Sequence, residues 1–367
     1  MMPRLFAVCT LPPWPICNGY SLRVANLLRR LGGRWDITLL APGERTPPGV
    51  TRHVRVELSG PGLSYPWRFD NRALTAAIGG LLPVVGPDRA LVWPGAEGAW
   101  LAAAGRTPAV LDMIDCNALE FMRGVHTTHG WDRLRQVREA GIAALHARRA
   151  VRGFAATVCV GEADAAWMAR LGGRRVHVVP NGVELPNAPG TEHARPTVLF
   201  AGTLDYPPNV DAVAWAAADI WPRIRAAVPG VRWVIAGRRP VAAIRALDGQ
   251  DGVEVRAEVA DMHSEIQAAW VAIAPMRTGV GLKNKVLEAW ACARPVVLTP
   301  MAMNGLALPP GHARLVQART AGLADAAVAL LRDAASRQRS GDAAHAMVAR
   351  DFTWAGAATW IDALLRP

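Results

Sequence analysis

Short apolar runs alternate with segments of helical period along this whole chain, and the alternation breaks once and then starts afresh. Such a pattern fits parallel strands wrapped by helices, because each crossover to a parallel neighbour needs a helix-length connection. Leu5–Thr10 reads as a first buried strand, followed by a Pro/Gly loop and a helix around Leu22–Leu31. Ile37–Ala41, Ala90–Trp93, Ala109–Ile114 and Thr157–Val160 continue the strand series, and Trp131–Gly153 is a long arginine-studded helix. The segment 176–184 is a further strand that ends in the turn Pro180-Asn181-Gly182, and residues 186–196 are loose, with Pro, Gly, Asn and Thr. Such a shift marks a linker. A second series then opens with strands Thr197–Ala201, Trp233–Ala236, Val253–Arg256, Val271–Ala274 and Pro295–Leu298. Helices are expected near Val210–Ala218, Val241–Leu247, Met262–Trp270 and from about Ala321 onward. The fold class is therefore α/β, with two Rossmann-like doubly wound domains over residues 1–180 and 197–350. A linker, 181–196, joins them, and a terminal segment, 351–367, follows.

At 367 residues, 51% hydrophobic and 19% charged, the chain has the core of a globular protein and is not disordered. The five cysteines are odd in number and dispersed, with no Cys-x-x-Cys pair. They argue against a disulfide framework or structural zinc, and for a reducing compartment, the cytoplasm. Pro12-Pro13 closes the first apolar run too early for a signal peptide. No run approaches the roughly 18 apolar residues of a membrane span. The net charge of +11 calls for an anionic partner. Its arginines are spread rather than gathered in a run, so nucleic acid is not the expected one.

Of the 41 basic residues only Lys283 and Lys285 are lysines, and they share the stretch Thr278-Gly-Val-Gly-Leu-Lys-Asn-Lys-Val-Leu-Glu288. An ammonium is a compact charge on a flexible stem, able to follow a phosphate where a planar guanidinium cannot. Gly279 and Gly281 let backbone approach a ligand closely, and the helix that follows offers free amides and a positive dipole end. Arg277, Lys283 and Lys285 suit a diphosphate. Glu288 lies three residues beyond Lys285 on the same helix face and could accept ribose hydroxyls. A plain Lys285–Glu288 surface ion pair explains that spacing equally well. Neither the Walker phosphate loop nor a Gly-x-Gly-x-x-Gly after the first strand is present.

Several segments together resemble the retaining glycosyltransferases of family 4, which have the GT-B fold. They are Val179-Pro-Asn-Gly-Val-Glu184, Phe200-Ala-Gly-Thr-Leu-Asp-Tyr-Pro-Pro-Asn-Val-Asp211, Lys283-Asn-Lys-Val-Leu-Glu-Ala289 and Arg294-Pro-Val-Val-Leu-Thr299. The first loop from Leu11 and its helix to Leu28, and the tail Phe352–Leu365, also match, so the resemblance covers nearly the whole chain in order. It is nearest to transferases that build bacterial exopolysaccharides and related surface glycans. The resemblance implies two domains facing a cleft, with a last helix crossing back to the N-terminal one. It implies a nucleotide-diphosphate-sugar donor as co-substrate, no cofactor, and a glycan or lipid-linked acceptor. Glu288 would hold the donor ribose, as the second Glu of the family's paired-Glu motif. Gly281 and nearby amides, with Gly202 and Thr203, would meet the donor, and Gly19 would face the same diphosphate. Asp115 would lie near the acceptor, with Asn18, Tyr20 and His126 as acceptor contacts.

The chain departs from the family at three places. Val280 stands where the paired motif's first Glu belongs, Gly202-Thr203 replaces the usual Gly-Arg, and the lysine that follows is replaced near Asn209. Arg277, Lys283 and Lys285 are the natural substitutes for the missing charge. Asp112 and Asp115 do not form an Asp-x-Asp clamp, so no metal is expected; Asp112 reads as a strand-end residue bonded to backbone. Glu162 and Asp164 read as caps of the helix they open. His126 and His129 sit in a Gly/Thr-rich loop, where solvation is the commoner role.

On the helix Trp131–Gly153, Trp131, Leu134, Val137, Gly141 and Leu145 form an apolar stripe beside six arginines. The reading adopted packs that stripe on the sheet and leaves the arginine face for solvent or an anionic membrane, which would make the protein peripheral on the inner face. Two other functions stay open: a GT-B nucleotide-sugar epimerase, and a degenerate basic binding protein without catalysis.

Overall fold

The computed structural model describes residues 2–58, 71–105, 107–125, 130–187, 190–279 and 281–366. It divides into two units, one of Met1–Gly182 with Trp354–Pro367, the other of Val183–Thr353. The first unit holds a parallel sheet of strands β1 (Arg4–Val8), β2 (Asp36–Ala41), β3 (Arg52–Arg55), β4 (Arg89–Val92), β5 (Ala109–Ile114), β6 (Ala156–Cys159) and β7 (Val176–Val178). Their spatial order is β3-β2-β1-β4-β5-β6-β7. The second unit's sheet contains β8 (Thr197–Ala201), β9 (Arg232–Gly237), β10 (Val253–Ala257), β11 (Val271–Ala274) and β12 (Val296–Leu298), ordered β10-β9-β8-β11-β12.

The central strands are buried on both faces, which is why they read as unbroken apolar runs rather than alternating ones. In the first sheet, Phe6, Val8, Leu40, Val92 and Leu111 point to one core. Their neighbours Leu5, Ala7, Leu39, Leu91 and Val110 point to the other, the alternation that a pleat imposes. That second core is closed by the last helix, Trp354–Leu365, which buries Trp354, Ala358, Ile361 and Leu365 in it. Trp35 donates its indole N–H to Asp362 Oδ1 at 2.7 Å. Trp360 of the same helix stays 62% exposed.

Three sequence expectations change. The helix Gly130–Gly153 does not pack its large apolar stripe. It buries Ala140, Ala143, Ala147, Ala150 and Val151, small side chains that let the helix come close to its neighbours, and leaves Trp131, Leu134, Val137 and Leu145 exposed. Asp112 is no strand-end residue bonded to backbone. It lies fully buried within β5, ion-paired to Arg23 Nε at 2.7 Å and accepting the Trp93 indole N–H at 3.1 Å. Asp164 lies in the first turn of its helix, whose N-cap is Gly161, and has a task beyond the one the sequence suggested. Its carboxylate accepts the backbone N–H of Cys116 at 2.9 Å and so ties down the loop after β5.

Candidate functional site

In a doubly wound sheet a ligand crevice opens at the carboxyl ends of the strands, where the order reverses. In the second unit that point lies between β8 and β11. The loop after β8 carries Gly202 and Thr203 into the helix Pro207–Trp215, and the loop after β11 carries Gly279 and Gly281 into the helix Asn284–Ala291. The two loops touch, for a Cβ on Gly279 would stand 3.4 Å from that of Pro208. Gly279 and Gly281 have φ of +110° and +67°, where a side chain is disfavoured. Lys283 is the N-cap of the second helix and makes no side-chain cap bond.

Lys285 brings the two loops together chemically. Its Nζ donates to Asn209 Oδ1 at 2.7 Å and lies 4.0 Å from the centre of the Phe200 ring. Asn209 in turn donates Nδ2–H to the carbonyl of Thr203 at 2.8 Å. The place near Asn209 that lacks a lysine in sequence therefore has one in space, supplied by the other loop. Gly202 makes room for it, since a Cβ there would come within 3.0 Å of the Lys285 ammonium. Burial pulls Lys285 down from the usual lysine value of 10.5 to about 7, helped by the charge of Lys283 and opposed by Glu288. A lysine held there takes or gives up a proton near neutrality.

Glu288 is half-buried on the same helix, and no hydrogen-bond donor among the described residues holds its carboxylate. Burial raises its pKa, while His263 and Lys285 oppose the rise. A carboxylate kept without a donor in a partly dry place is prepared to accept hydrogens from a ligand. Lys283 and Arg277 do not share in this. The Lys283 ammonium donates to the Gly281 carbonyl at 2.9 Å, holding the loop's shape. Arg277 pairs with Asp211, its Nε 3.0 Å from Oδ2, and lies over the Trp215 ring. Its charge is already matched, contrary to the sequence expectation. Sequence reasoning missed His263, whose buried Nε2 has no hydrogen-bond partner among the described residues. The one signal for it was its place at the start of the helix Met262–Ala268, just past the carboxyl end of β10.

The first unit's candidates separate differently. Gly19 opens the helix Gly19–Leu31, and a Cβ there would meet nothing within 4 Å. Asn18 is that helix's N-cap: its Oδ1 accepts the Ser21 N–H at 2.9 Å, so the expected acceptor contact is a capping residue. Tyr20, proposed as an acceptor contact, is only 6% exposed and packs in the core. Asp115 is half-buried just beyond β5, and Ile114 before it has φ of +63°. That conformation is costly for a β-branched residue, and such strain clusters at functional sites. His126 and Val280 lie outside the described residues.

Residues 17–186 match the family model described as Glycosyltransferase Family 4, and residues 195–333 match that described as Glycosyl transferases group 1. Both halves of the chain carry glycosyltransferase domains. No curated protein matches the chain in sequence. Among solved structures, HepE of Anabaena in complex with UDP-glucose aligns with a TM-score of 0.66 at 15% identity, over 99% of each chain. A UDP-forming α,α-trehalose-phosphate synthase from Burkholderia xenovorans aligns at 0.65 and 14% identity, over 100% of this chain and 99% of its own. WaaG, a glycosyltransferase involved in lipopolysaccharide biosynthesis, aligns at 0.65 and 13% identity, over 99% of this chain and 100% of its own. These likenesses establish the fold of the glycosyltransferase domains as GT-B, two Rossmann-like units each built on a parallel sheet.

Proposed function

We propose that the second unit binds a nucleotide-diphosphate sugar at the β8/β11 switch point. The protein then transfers the sugar, with retention at the anomeric carbon, to a hydroxyl of a glycan or lipid-linked acceptor held by the first unit. The observation that carries this reading is the meeting of the Lys285 ammonium, the Asn209 amide and the unbonded Glu288 carboxylate around a glycine loop and a helix N-terminus. Lys285 and the first-turn amides stabilise the charge that develops on the departing diphosphate. Glu288 takes the ribose hydroxyls. The solved neighbour HepE is described in complex with UDP-glucose, which supports a uridine donor among the nucleotides to try first.

No enzymic nucleophile is evident in the described site, so the acceptor is read as attacking on the face the diphosphate leaves. A diphosphate oxygen takes the acceptor proton. The test is incubation of the purified protein with a panel of nucleotide sugars, following nucleoside diphosphate release and the anomeric configuration of any product by NMR. Release from one donor, with retained configuration when an acceptor is supplied, supports the proposal; an inverted product or no turnover with any donor rejects it. Because the cationic groups and amides offset the diphosphate charge, turnover should survive EDTA. Reversible loss, restored by magnesium or manganese, would place a metal at the leaving group instead.

A further inference from the structure

The helix Gly130–Gly153 of the first unit turns outward the face that sequence periodicity assigned to the core. Trp131, Leu134, Val137 and Leu145 are 87%, 61%, 51% and 71% exposed. On a helix rising ~1.5 Å per residue they run along about 21 Å of surface. Among them and beyond stand Arg133, Arg135, Arg138, Arg148, Arg149 and Arg152, all exposed. The one exposed carboxylate on the helix is Asp132, since Glu139 is buried. Large apolar side chains left in water along one line mark a contact surface.

We propose that this face docks flat on an anionic phospholipid surface. The apolar residues enter the headgroup–acyl boundary, a tryptophan at one end sits where its amphipathic ring is favoured, and the arginines meet lipid phosphates. Charge selects the occupant. A second copy of the helix would set six arginines against six, whereas an anionic bilayer answers both the charge and the apolar strip. A nucleic acid would answer the arginines and leave Leu134, Val137 and Leu145 in water. No helix among the described residues is long and apolar enough to cross a membrane, so the contact is one of lying on the surface.

The experiment is sedimentation of the full chain with vesicles of phosphatidylcholine alone, and of phosphatidylcholine mixed with phosphatidylglycerol, at low and raised salt. Binding is expected to the mixed vesicles and not to the neutral ones. Trp131→Ala with Leu134→Ala and Leu145→Ala should lower the partition coefficient at least about tenfold, and Arg135→Gln with Arg138→Gln and Arg149→Gln should do the same. Both triple variants change exposed side chains, so circular dichroism and thermal unfolding should match the parent's. Equal partition onto both vesicle types, or unaltered binding by the apolar variant, overturns the proposal. So does a dimer in sedimentation equilibrium that the Leu134/Leu145 change abolishes, or RNA binding that only the arginine variant loses. Vesicle binding is read without turnover, so its failure leaves the proposed transfer reaction standing or falling separately.

Discussion

Lys285 was legible as a residue because lysine is so scarce in this chain, but its partner was not. Asn209 entered the sequence reading only as the place where a lysine is missing, and nothing in one dimension shows that another loop fills it. The same holds for His263, whose relation to Glu288 depends on a separate helix. The depressed pKa of Lys285, about 7, gives a signed expectation. Below that pH the ammonium is already charged; above it the free site is neutral, and a bound diphosphate must draw a proton in. Nucleoside diphosphate affinity should therefore fall by up to about tenfold per pH unit above about pH 7. Calorimetry in buffers of different ionisation heat should show proton uptake there, absent in Lys285→Met. Turnover gives a second check. Lys285→Ala should raise the activation barrier by about 2.7–4 kcal/mol, by analogy with loss of one oxyanion donor. Arg277→Ala, whose charge Asp211 already matches, should change kcat less than about tenfold. Equal losses in the two variants would return Arg277 to the chemistry.

At the scale of elements, the buried strands could be read directly because burial on both faces leaves an apolar run. β3 could not. It is an edge strand of sequence Arg-His-Val-Arg with no buried residue, and carries none of that signal. The helix Gly130–Gly153 was visible as a helix, yet its buried face was not, because hydrophobic periodicity weights large side chains and this helix packs by its alanines. In an alanine-rich chain a line of alanines does not stand out. The loops make the sharper test. Gly202→Ala would press a methyl closer than van der Waals contact against two flexible polar ends, the Asn209 amide at 2.9 Å and the Lys285 ammonium at 3.0 Å. It should part that pair and weaken nucleotide binding, while thermal stability moves little, since a flexible terminus can give way. Gly237→Ala is the contrasting control: its Cβ would fall 1.7 Å from the Gly202 carbonyl oxygen, and rigid backbone cannot yield. Loss of fold in the first variant, or none in the second, would contradict this account.

Across the whole molecule, the parallel order of both sheets followed from the alternation, and the return of the terminal helix from the family resemblance. Which of its residues go inside needed the structure. Trp360, on the same helix as Trp354, faces solvent. Truncation after Arg350 should remove Trp354, Ile361 and Leu365 from the first unit's core. At about 1.5–3 kcal/mol for each buried large side chain, that loss rivals the whole stability of an ordinary domain. The truncated protein should be insoluble or lack a cooperative melt of the first unit; an intact melt would mean the helix is dispensable. The second unit is inserted between two parts of the first, and its two ends are fastened together where the Val183 N–H donates to the Phe352 carbonyl at 2.9 Å. A chain emerging from the ribosome thus delivers all of the inserted unit before the helix that closes the earlier one. The unit made second can complete its core first, and the unit begun first must wait, with a face of its sheet uncovered, until the helix that closes it has been made.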